Sequence, residues 1–387
     1  MSEISYAEYL ANPKYRKFPF KGLIGWILQK DGVPSVEDLQ NKYAFTYYST
    51  MNKAVTDVNN GTTANGDSTK DSAVTGVYTD ENGGKNVVLL KDHTEATRVQ
   101  PSVDMTINLG GHKLSANNAV CINVLGGNLT IDGRLRGSSI EVNLASSGAG
   151  VQIPQNATVG SLNIIDTRVI VATKNGNAFG VYCNNSNFAI KCSNCDIRAY
   201  SNYEYTDAEY TQHSRGIYVR YGRAATVNNC YAMGTHSGMT SNGTLYVNGG
   251  TFEGYGHGGI YFSGTGTTAY VRDAILRDCD MPDGYTSTHT RNGAGGYLGS
   301  DTKLKVYMDN CDIYGISASQ IFVIKTTDNA LYISNSTINN SNGGDANVRI
   351  DSGNTLYLGV GNNFTAEDTN NPEAVIVTDE VYVQGVA

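Results

Sequence analysis

The chain has 387 residues, of which 44 are glycine and 17% are charged, and it carries a formal net charge of −8. This composition is typical of a turn-rich all-β protein, and the acidic balance argues against nucleic-acid binding. No apolar run reaches about 18 residues, so no membrane-spanning helix is predicted. Met1-Ser2-Glu3-Ile4 also lacks the charged start and apolar core of a signal peptide.

Residues 1–53 do not follow the pattern of the later chain and hold many large apolar side chains. The candidates for anchoring this segment to another surface are Tyr15, Phe18, Phe20 and Trp26. Two alternatives remain open, because the segment could cap the unit that follows or dock onto another protein. Ser35, with Asp38 three residues later, predicts the N-cap of a short helix over residues 35–48.

Residues 54–86 predict a polar linker and the entry to the next unit. The stretch 57–72 is polar and low in complexity, as in a linker or long loop.

Residues 87–364 predict one repetitive unit, in which a six-residue pattern recurs between residues 164 and 338. The pattern is an apolar residue, any residue, Asn or Asp, a small residue, any residue and an apolar residue. Its third position is occupied by Asp166, Asn194, Asn229, Asp273, Asn310 and Asn335, and a looser copy has Gly249 there. Neighbouring copies lie 20 to 37 residues apart. Repeats of this length predict a stacked array rather than a compact globule.

A second apolar stretch lies between successive copies and usually opens with glycine. These glycines are Gly150, Gly180, Gly216, Gly238, Gly259 and Gly296. Alternating strands and turns without a helical stretch predict an all-β fold, a right-handed parallel β-helix of about ten coils and about 45 Å length. We expect the Asn and Asp residues to stack at a turn, and the glycines to adopt positive φ at a sharp bend.

The cysteines at the small repeat position, Cys195, Cys230 and Cys311, predict buried free thiols. Cys192 and Cys195 form a lone C-x-x-C pair, and on one strand their side chains would face opposite ways. We therefore predict neither a metal site nor a cofactor.

Two segments exceed the ordinary repeat, at residues 199–214 and 278–293, and both fall between an Asn-bearing strand and the next glycine stretch. Tyrosine rings with nearby charged groups suit a sugar, because rings cover C–H faces while charged groups bind hydroxyls. The candidate glycan-binding residues are Tyr200, Tyr203, Tyr205, Tyr210, His213, Arg215, His236, His257, Tyr285, His289 and Arg291. Ordinary surface loops or a contact between chains are the alternatives.

Catalysis by a glycosidase requires two carboxylates about 5–10 Å apart. The candidates are Asp278, Asp280, Asp309 and Asp312, although Asp309 and Asp312 are also repeat positions. The tail, residues 365–387, holds two short apolar stretches at 375–377 and 381–383. These predict strands that cap the array or pair with a neighbouring chain.

Ile107-Asn108-Leu109-Gly110-Gly111-His112-Lys113-Leu114 resembles the opening coil of pectin-lyase-like right-handed parallel β-helices. The Asn positions and the Gly-Ile-Tyr strands resemble the same superfamily, which includes pectate lyases, polygalacturonases and bacteriophage tailspikes. A short non-repetitive start before a β-helical shaft looks most like a phage tailspike or tail fibre.

That resemblance implies a virion structural protein, made in the host cytoplasm, that forms a homotrimer. Residues 1–53 would attach to other virion proteins, and the shaft would contact a host surface glycan. The alternatives are a polysaccharide-degrading glycoside hydrolase or lyase on the same fold, and a bacterial surface adhesin.

Overall fold

The computed structural model describes twelve stretches of the chain. They are residues 32–173, 176–201, 214–254, 257–278, 295–298, 302–314, 323–324, 328–340, 348–350, 353–366, 375–377 and 381–383. In these stretches the chain is mostly β, with parallel sheets and two short helices. The anchor candidates Tyr15, Phe18, Phe20 and Trp26 lie outside them. No helix in the described stretches is long and apolar enough to span a membrane.

The first helix, α1 (Val36–Lys42), begins with the predicted capping box. The backbone N–H of Asp38 donates to Ser35 Oγ at 3.1 Å, and the Ser35 N–H donates to Asp38 Oδ2 at 2.9 Å. The prediction that this helix extends to Tyr48 was wrong. Tyr43 is extended at φ −121° and ψ 149°, so the helix ends there and the chain continues into a strand.

The second helix, α2 (Met51–Asn59), spans the predicted boundary between residues 53 and 54. Its buried residues Met51, Ala54, Val55 and Val58 belong to the main hydrophobic core. The start of the predicted linker is therefore packed against the sheets, because its apolar side chains recur at helical spacing.

Thirty-two strands lie in the described stretches. The first eleven are β1 (Thr46–Tyr48), β2 (Thr75–Thr79), β3 (Lys85–Leu89), β4 (His93–Glu95), β5 (Met105–Asn108), β6 (Lys113–Ala116), β7 (Val120–Asn123), β8 (Gly127–Asp132), β9 (Ser139–Leu144), β10 (Gly148–Ile153) and β11 (Gly160–Ile165). The next ten are β12 (Arg168–Thr173), β13 (Ala178–Asn184), β14 (Phe188–Ser193), β15 (Asp196–Ser201), β16 (Arg215–Tyr221), β17 (Ala224–Gly234), β18 (Ser237–Ser241), β19 (Thr244–Gly254), β20 (Ile260–Phe262) and β21 (Thr268–Asp278). The last eleven are β22 (Gly296–Leu298), β23 (Lys305–Asp309), β24 (Asp312–Tyr314), β25 (Val323–Ile324), β26 (Ala330–Ser334), β27 (Thr337–Asn340), β28 (Val348–Ile350), β29 (Thr355–Leu358), β30 (Asn363–Ala366), β31 (Val375–Val377) and β32 (Val381–Val383).

The parallel strands pair in three ladders. Ladder A contains β3, β5, β8, β11, β14, the first halves of β17, β19 and β21, then β23, β26, β29 and β32. Ladder B contains β4, β6, β9, β12, β15, the second halves of β17, β19 and β21, then β24, β27 and β30. Ladder C is a separate ten-stranded sheet of β7, β10, β13, β16, β18, β20, β22, β25, β28 and β31. The chain visits A, B and C in that order and then returns to A.

The corner between ladders A and B holds the repeated Asn and Asp residues. All six have positive φ, between 49° and 55°, and Gly249 takes the same place with φ 74°. Asn and Asp tolerate this left-handed conformation better than other residues that carry a Cβ. Asn310 also donates from Nδ2 to Asp273 Oδ1 of the preceding repeat at 2.6 Å. The predicted turn at these residues is confirmed.

The glycines that open the ladder C strands play a different role from the predicted one. Gly150, Gly180, Gly216, Gly238 and Gly259 do not have positive φ, so that prediction was wrong. A Cβ at Gly150 would lie 2.5 Å from Val169 Cγ1, and one at Gly238 would lie 2.6 Å from the Ala232 carbonyl oxygen. Val169 and Ala232 belong to ladder B. At these glycines, ladder C lies too close to ladder B for a side chain.

The thiols predicted to be buried are buried: Cys195, Cys230 and Cys311 all lie in the main core. Cys192 lies there as well, so the prediction that Cys192 and Cys195 face opposite ways was wrong. The left-handed Asn194 between them turns the chain, and both thiols face the interior. Burial raises the pKa of Cys311 to about 12.

The two ends of the ladders differ, because antiparallel strands cover the first end and parallel strands form the last. At the first end, β2 pairs antiparallel with β3 and β1 pairs antiparallel with β2. Residues 36–45 pack against Tyr78 of β2 and Val88 of β3 at this end. The two predicted tail strands are present as β31 and β32, which pair with β28 and β29.

Thiol reactivity tests this core. Native protein at pH 8 is expected to react with Ellman's reagent at one cysteine at most, because burial raises the pKa of Cys183 to about 11 and shields the other described thiols. The one cysteine that can react is Cys279, which lies outside the described stretches. In guanidinium all seven cysteines should react. Fast reaction of two or more thiols in native protein would contradict the packing.

Substitution of Asn229 tests the corner. Asn229→Gly should unfold at nearly the wild-type urea concentration, since φ there is 49° and glycine adopts positive φ freely. Asn229→Ala should lower the free energy of unfolding by about 1–2 kcal/mol relative to Asn229→Gly. Equal midpoints for the two variants would show that the left-handed conformation does not constrain this corner.

Candidate functional site

The corner between ladders B and C is where the sequence predicts binding. The two long segments connect β15 with β16 and β21 with β22, so they start and end at this corner. Eight predicted site residues lie outside the described stretches: Tyr203, Tyr205, Tyr210, His213, Asp280, Tyr285, His289 and Arg291. Asp278 is the last residue of β21, and its side chain is not described.

His236 and His257 occupy this corner in successive repeats. Their rings stack at 4.2 Å between centroids, and they are only 3% and 9% exposed. Gly234 and Gly254, which precede them, have no room for a Cβ because backbone atoms of neighbouring segments approach them closely. These tight corners bring the imidazoles into register and bury them.

Arg215, another candidate glycan-binding residue, lies near these histidines. Its Nε donates to Thr240 Oγ1 at 2.8 Å, and Thr240 Oγ1 is 2.8 Å from Ser237 Oγ. Ser237 Oγ is in turn 3.4 Å from His236 Nδ1. A continuous chain of polar contacts therefore links Arg215 to the imidazole of His236.

The outer face of ladder C repeats one contact on neighbouring strands. In each case the residue just before the opening glycine contacts the tyrosine two positions after that glycine. Phe179 stacks on Tyr182 with ring centroids 4.9 Å apart, and the Arg215 guanidinium lies 4.3 Å from the Tyr218 ring centroid. Tyr182 and Tyr218 also stack on each other at 5.3 Å. The next tyrosine in register, after Thr240, is Tyr261.

We name this surface the aromatic–basic patch. It consists of Phe179, Tyr182, Arg215, Tyr218, Arg220, His236, His257 and Tyr261. The tyrosines are half-buried, and Arg220 is exposed. Burial raises the pKa of Tyr218, and a hydrogen bond with the Tyr182 hydroxyl raises the pKa of Arg220. Both phenol and guanidinium therefore keep their protons at neutral pH.

Ladder C differs from the larger sheet in its charge. Its strands contain three charged residues, Arg215, Arg220 and Arg349, and all are positive. The strands of ladders A and B contain charges of both signs. The nine acidic residues are Glu95, Asp132, Glu141, Asp196, Glu253, Asp273, Asp278, Asp309 and Asp312, and the eight basic ones are Lys85, Lys113, Arg168, Lys191, Arg198, Arg272, Arg277 and Lys305. The aromatic–basic patch thus lies on the sheet that lacks carboxylates in a protein of negative net charge.

Tyr200 is placed apart from the patch, on the outer face of ladder B. It packs against Tyr231 and Met233 next to a network of buried charges. Glu253 forms an ion pair with Arg277 and accepts a hydrogen bond from the Tyr231 hydroxyl at 2.5 Å. Sequence reasoning missed this network because its members come from separate repeats.

The network extends in both directions along ladder B. Arg277 donates to the Tyr314 hydroxyl at 2.9 Å, and the Arg198 guanidinium lies 4.8 Å from the Tyr231 ring centroid. Arg198 also donates from Nε to Asp196 Oδ1 at 2.6 Å. These contacts cross-link five neighbouring strands, from β15 to β24, just before the chain turns into ladder C.

The catalytic candidates Asp309 and Asp312 lie at the other corner. They flank Asn310, where ladder A meets ladder B, and both are exposed. Asp309 Oδ1 accepts hydrogen bonds from Ser334 Oγ and Asn335 Nδ2, each at 2.8 Å. Asp309 therefore ties two repeats together, and a full ladder B strand separates both carboxylates from the patch.

A stack of tyrosines on ladder A was also missed. Tyr246, Tyr270, Tyr307, Tyr332 and Tyr357 stack in register with centroid distances of 5.5, 5.1, 4.4 and 4.4 Å. The signal was present as an apolar–Tyr–apolar triplet before each corner. The patch tyrosines have a comparable signal, since Tyr182, Tyr218 and Tyr261 each follow an opening glycine by two residues.

No group of three or more metal-binding side chains occurs within the described stretches. Comparisons of the chain with protein families, curated proteins and solved structures found no match.

The buried network allows a direct test. Glu253→Gln should lower the free energy of unfolding by about 3 kcal/mol, because it leaves the buried Arg277 without its countercharge. The double variant Glu253→Met/Arg277→Met removes both charges and should cost much less. Urea unfolding measures both. Equal losses would show that the ion pair is not the relevant interaction.

Proposed function

We propose that the three ladders wind as a right-handed parallel β-helix. The cyclic order A, B, C supports this, because each ladder then receives one strand from every coil. Parallel crossover connections are almost always right-handed, and this supports the handedness. The solenoid gives the aromatic–basic patch a rigid base.

The patch, in this proposal, binds a surface polysaccharide. The observation that carries the proposal is the row of Tyr182, Tyr218 and Tyr261 on one sheet face with basic side chains beside it. Sugars are bound by aromatic rings that contact their C–H faces and by charged groups that bind their hydroxyls. From Tyr182 to Tyr261 the row spans three strand spacings, about 14 Å, which suits a chain of linked sugars better than a single ring.

The biological setting we propose is a virion-attached spike or tail fibre that contacts a host glycan, with homotrimers as the working form. This part rests on the resemblance of the repeat. The hydrolase or lyase alternative has no support in the described stretches, since the described carboxylates Asp309 and Asp312 lie at the opposite corner from the patch.

Affinity electrophoresis with surface polysaccharides of candidate host bacteria tests the binding. Tyr218→Ala should weaken binding about tenfold, because it removes the central ring of the row. Tyr270→Ala is the matched control, since Tyr270 is an exposed, stacked tyrosine on ladder A. Equal weakening by both variants, or binding to none of the polysaccharides, would overturn the proposal.

A further inference from the structure

The charged residues of the described ladder C strands are all arginines. The chain as a whole has eight more acidic than basic residues, yet none of the acidic residues lies in a ladder C strand. A polyanion approaching ladders A or B meets carboxylates as well as lysines and arginines. Over the described ladder C strands it meets no carboxylate.

Arg220 is the arginine best placed to meet a ligand. It is exposed, and its guanidinium is hydrogen-bonded to the Tyr182 hydroxyl and lies 5.6 Å from the Tyr221 ring centroid. Tyr221 itself is 49% exposed. An arginine held between two phenols loses little rotamer freedom on binding, and its planar fork matches the geometry of an oxyanion.

The neighbouring charges reinforce Arg220. Arg223 follows three residues later and is also exposed. Arg215 is buried against Tyr218 and Thr240, so it adds positive potential and fixes the ring of Tyr218 instead of reaching the ligand. Residues 222–223, which connect β16 to ladder A, contain no acidic residue.

We infer that the ligand of the aromatic–basic patch is an anionic polysaccharide, whose carboxylate or sulfate groups bind Arg220 while its sugar rings contact Tyr182 and Tyr218. This inference rests on the proposed polysaccharide binding and specifies its ligand. Charge-assisted bonds from arginine to an oxyanion are roughly twice as strong as neutral ones, so Arg220 would set specificity.

Recognition of charge can be distinguished from recognition of sugar rings with three polymers that share one sugar backbone and differ in their charged groups. They are dextran, carboxymethyl dextran and dextran sulfate. The full chain is titrated with each polymer at low salt and at 0.5 M NaCl, using wild type, Arg220→Gln, Tyr218→Ala and Arg272→Gln. Arg272 is the matched control, because it is an exposed arginine on ladder A whose Nε donates to Asn248 Oδ1 at 2.7 Å.

The expected result is binding of one or both anionic polymers at least tenfold tighter than dextran, and weakening by salt. Arg220→Gln should reduce anionic binding about tenfold, and Arg272→Gln should not. Which anionic polymer binds more tightly distinguishes carboxylate from sulfate as the bound group.

Two results would overturn the inference. The first is equal affinity for dextran and its charged derivatives, with binding lost in Tyr218→Ala but kept in Arg220→Gln. This result would support polysaccharide binding at the patch but contradict the preference for an anionic polymer. Anionic binding that falls equally in Arg220→Gln and Arg272→Gln shows a diffuse charge effect and no site at the patch. Binding of none of the three polymers rejects the anionic ligand class, while the host-polysaccharide experiment decides the proposed function separately.

Discussion

Parallel, in-register pairing is the constraint on which the rest of this structure depends. In a parallel ladder each residue lies about 4.8 Å from its counterpart in the next strand, so side chains are selected as columns. The side chains of one column must therefore be compatible with one another. Asn and Asp side chains at the corner bond to one another, tyrosine rings stack face to face, and apolar residues fill the interior.

The same constraint explains why charges can be buried on ladder B. Glu253 and Arg277 stand in register on adjacent strands, so the ion pair forms without distortion of either strand. The Tyr231 hydroxyl donates to Glu253 Oε2, and Arg277 Nη1 donates to the Tyr314 hydroxyl. The network therefore stiffens the final residues of these strands, next to the corner that leads to the aromatic–basic patch.

The features that could be predicted from the sequence are those that a single residue type indicates at a fixed place in the repeat. The A–B corner was predictable because a left-handed backbone selects Asn, Asp or Gly at a fixed place in every repeat. The opening glycines were found but misread, since glycine marks either positive φ or missing space, and only the position of ladder B tells the two apart. The burial of His236 and its stacking on His257 could not be predicted, because they depend on how closely two corners approach. For Asp309 the sequence allowed two interpretations, a structural repeat position and a catalytic carboxylate. Its hydrogen bonds to Ser334 and Asn335 favour the structural role.

The corner between ladders A and B also bears on how such a chain changes through evolution. Six of these corners share one backbone conformation, and the strands on either side keep the same register from repeat to repeat. A duplication or loss that begins and ends at equivalent corner residues would preserve every column on both sides of the join. Whole repeats could therefore be gained or lost at the A–B corner while the residues of any one binding face are kept.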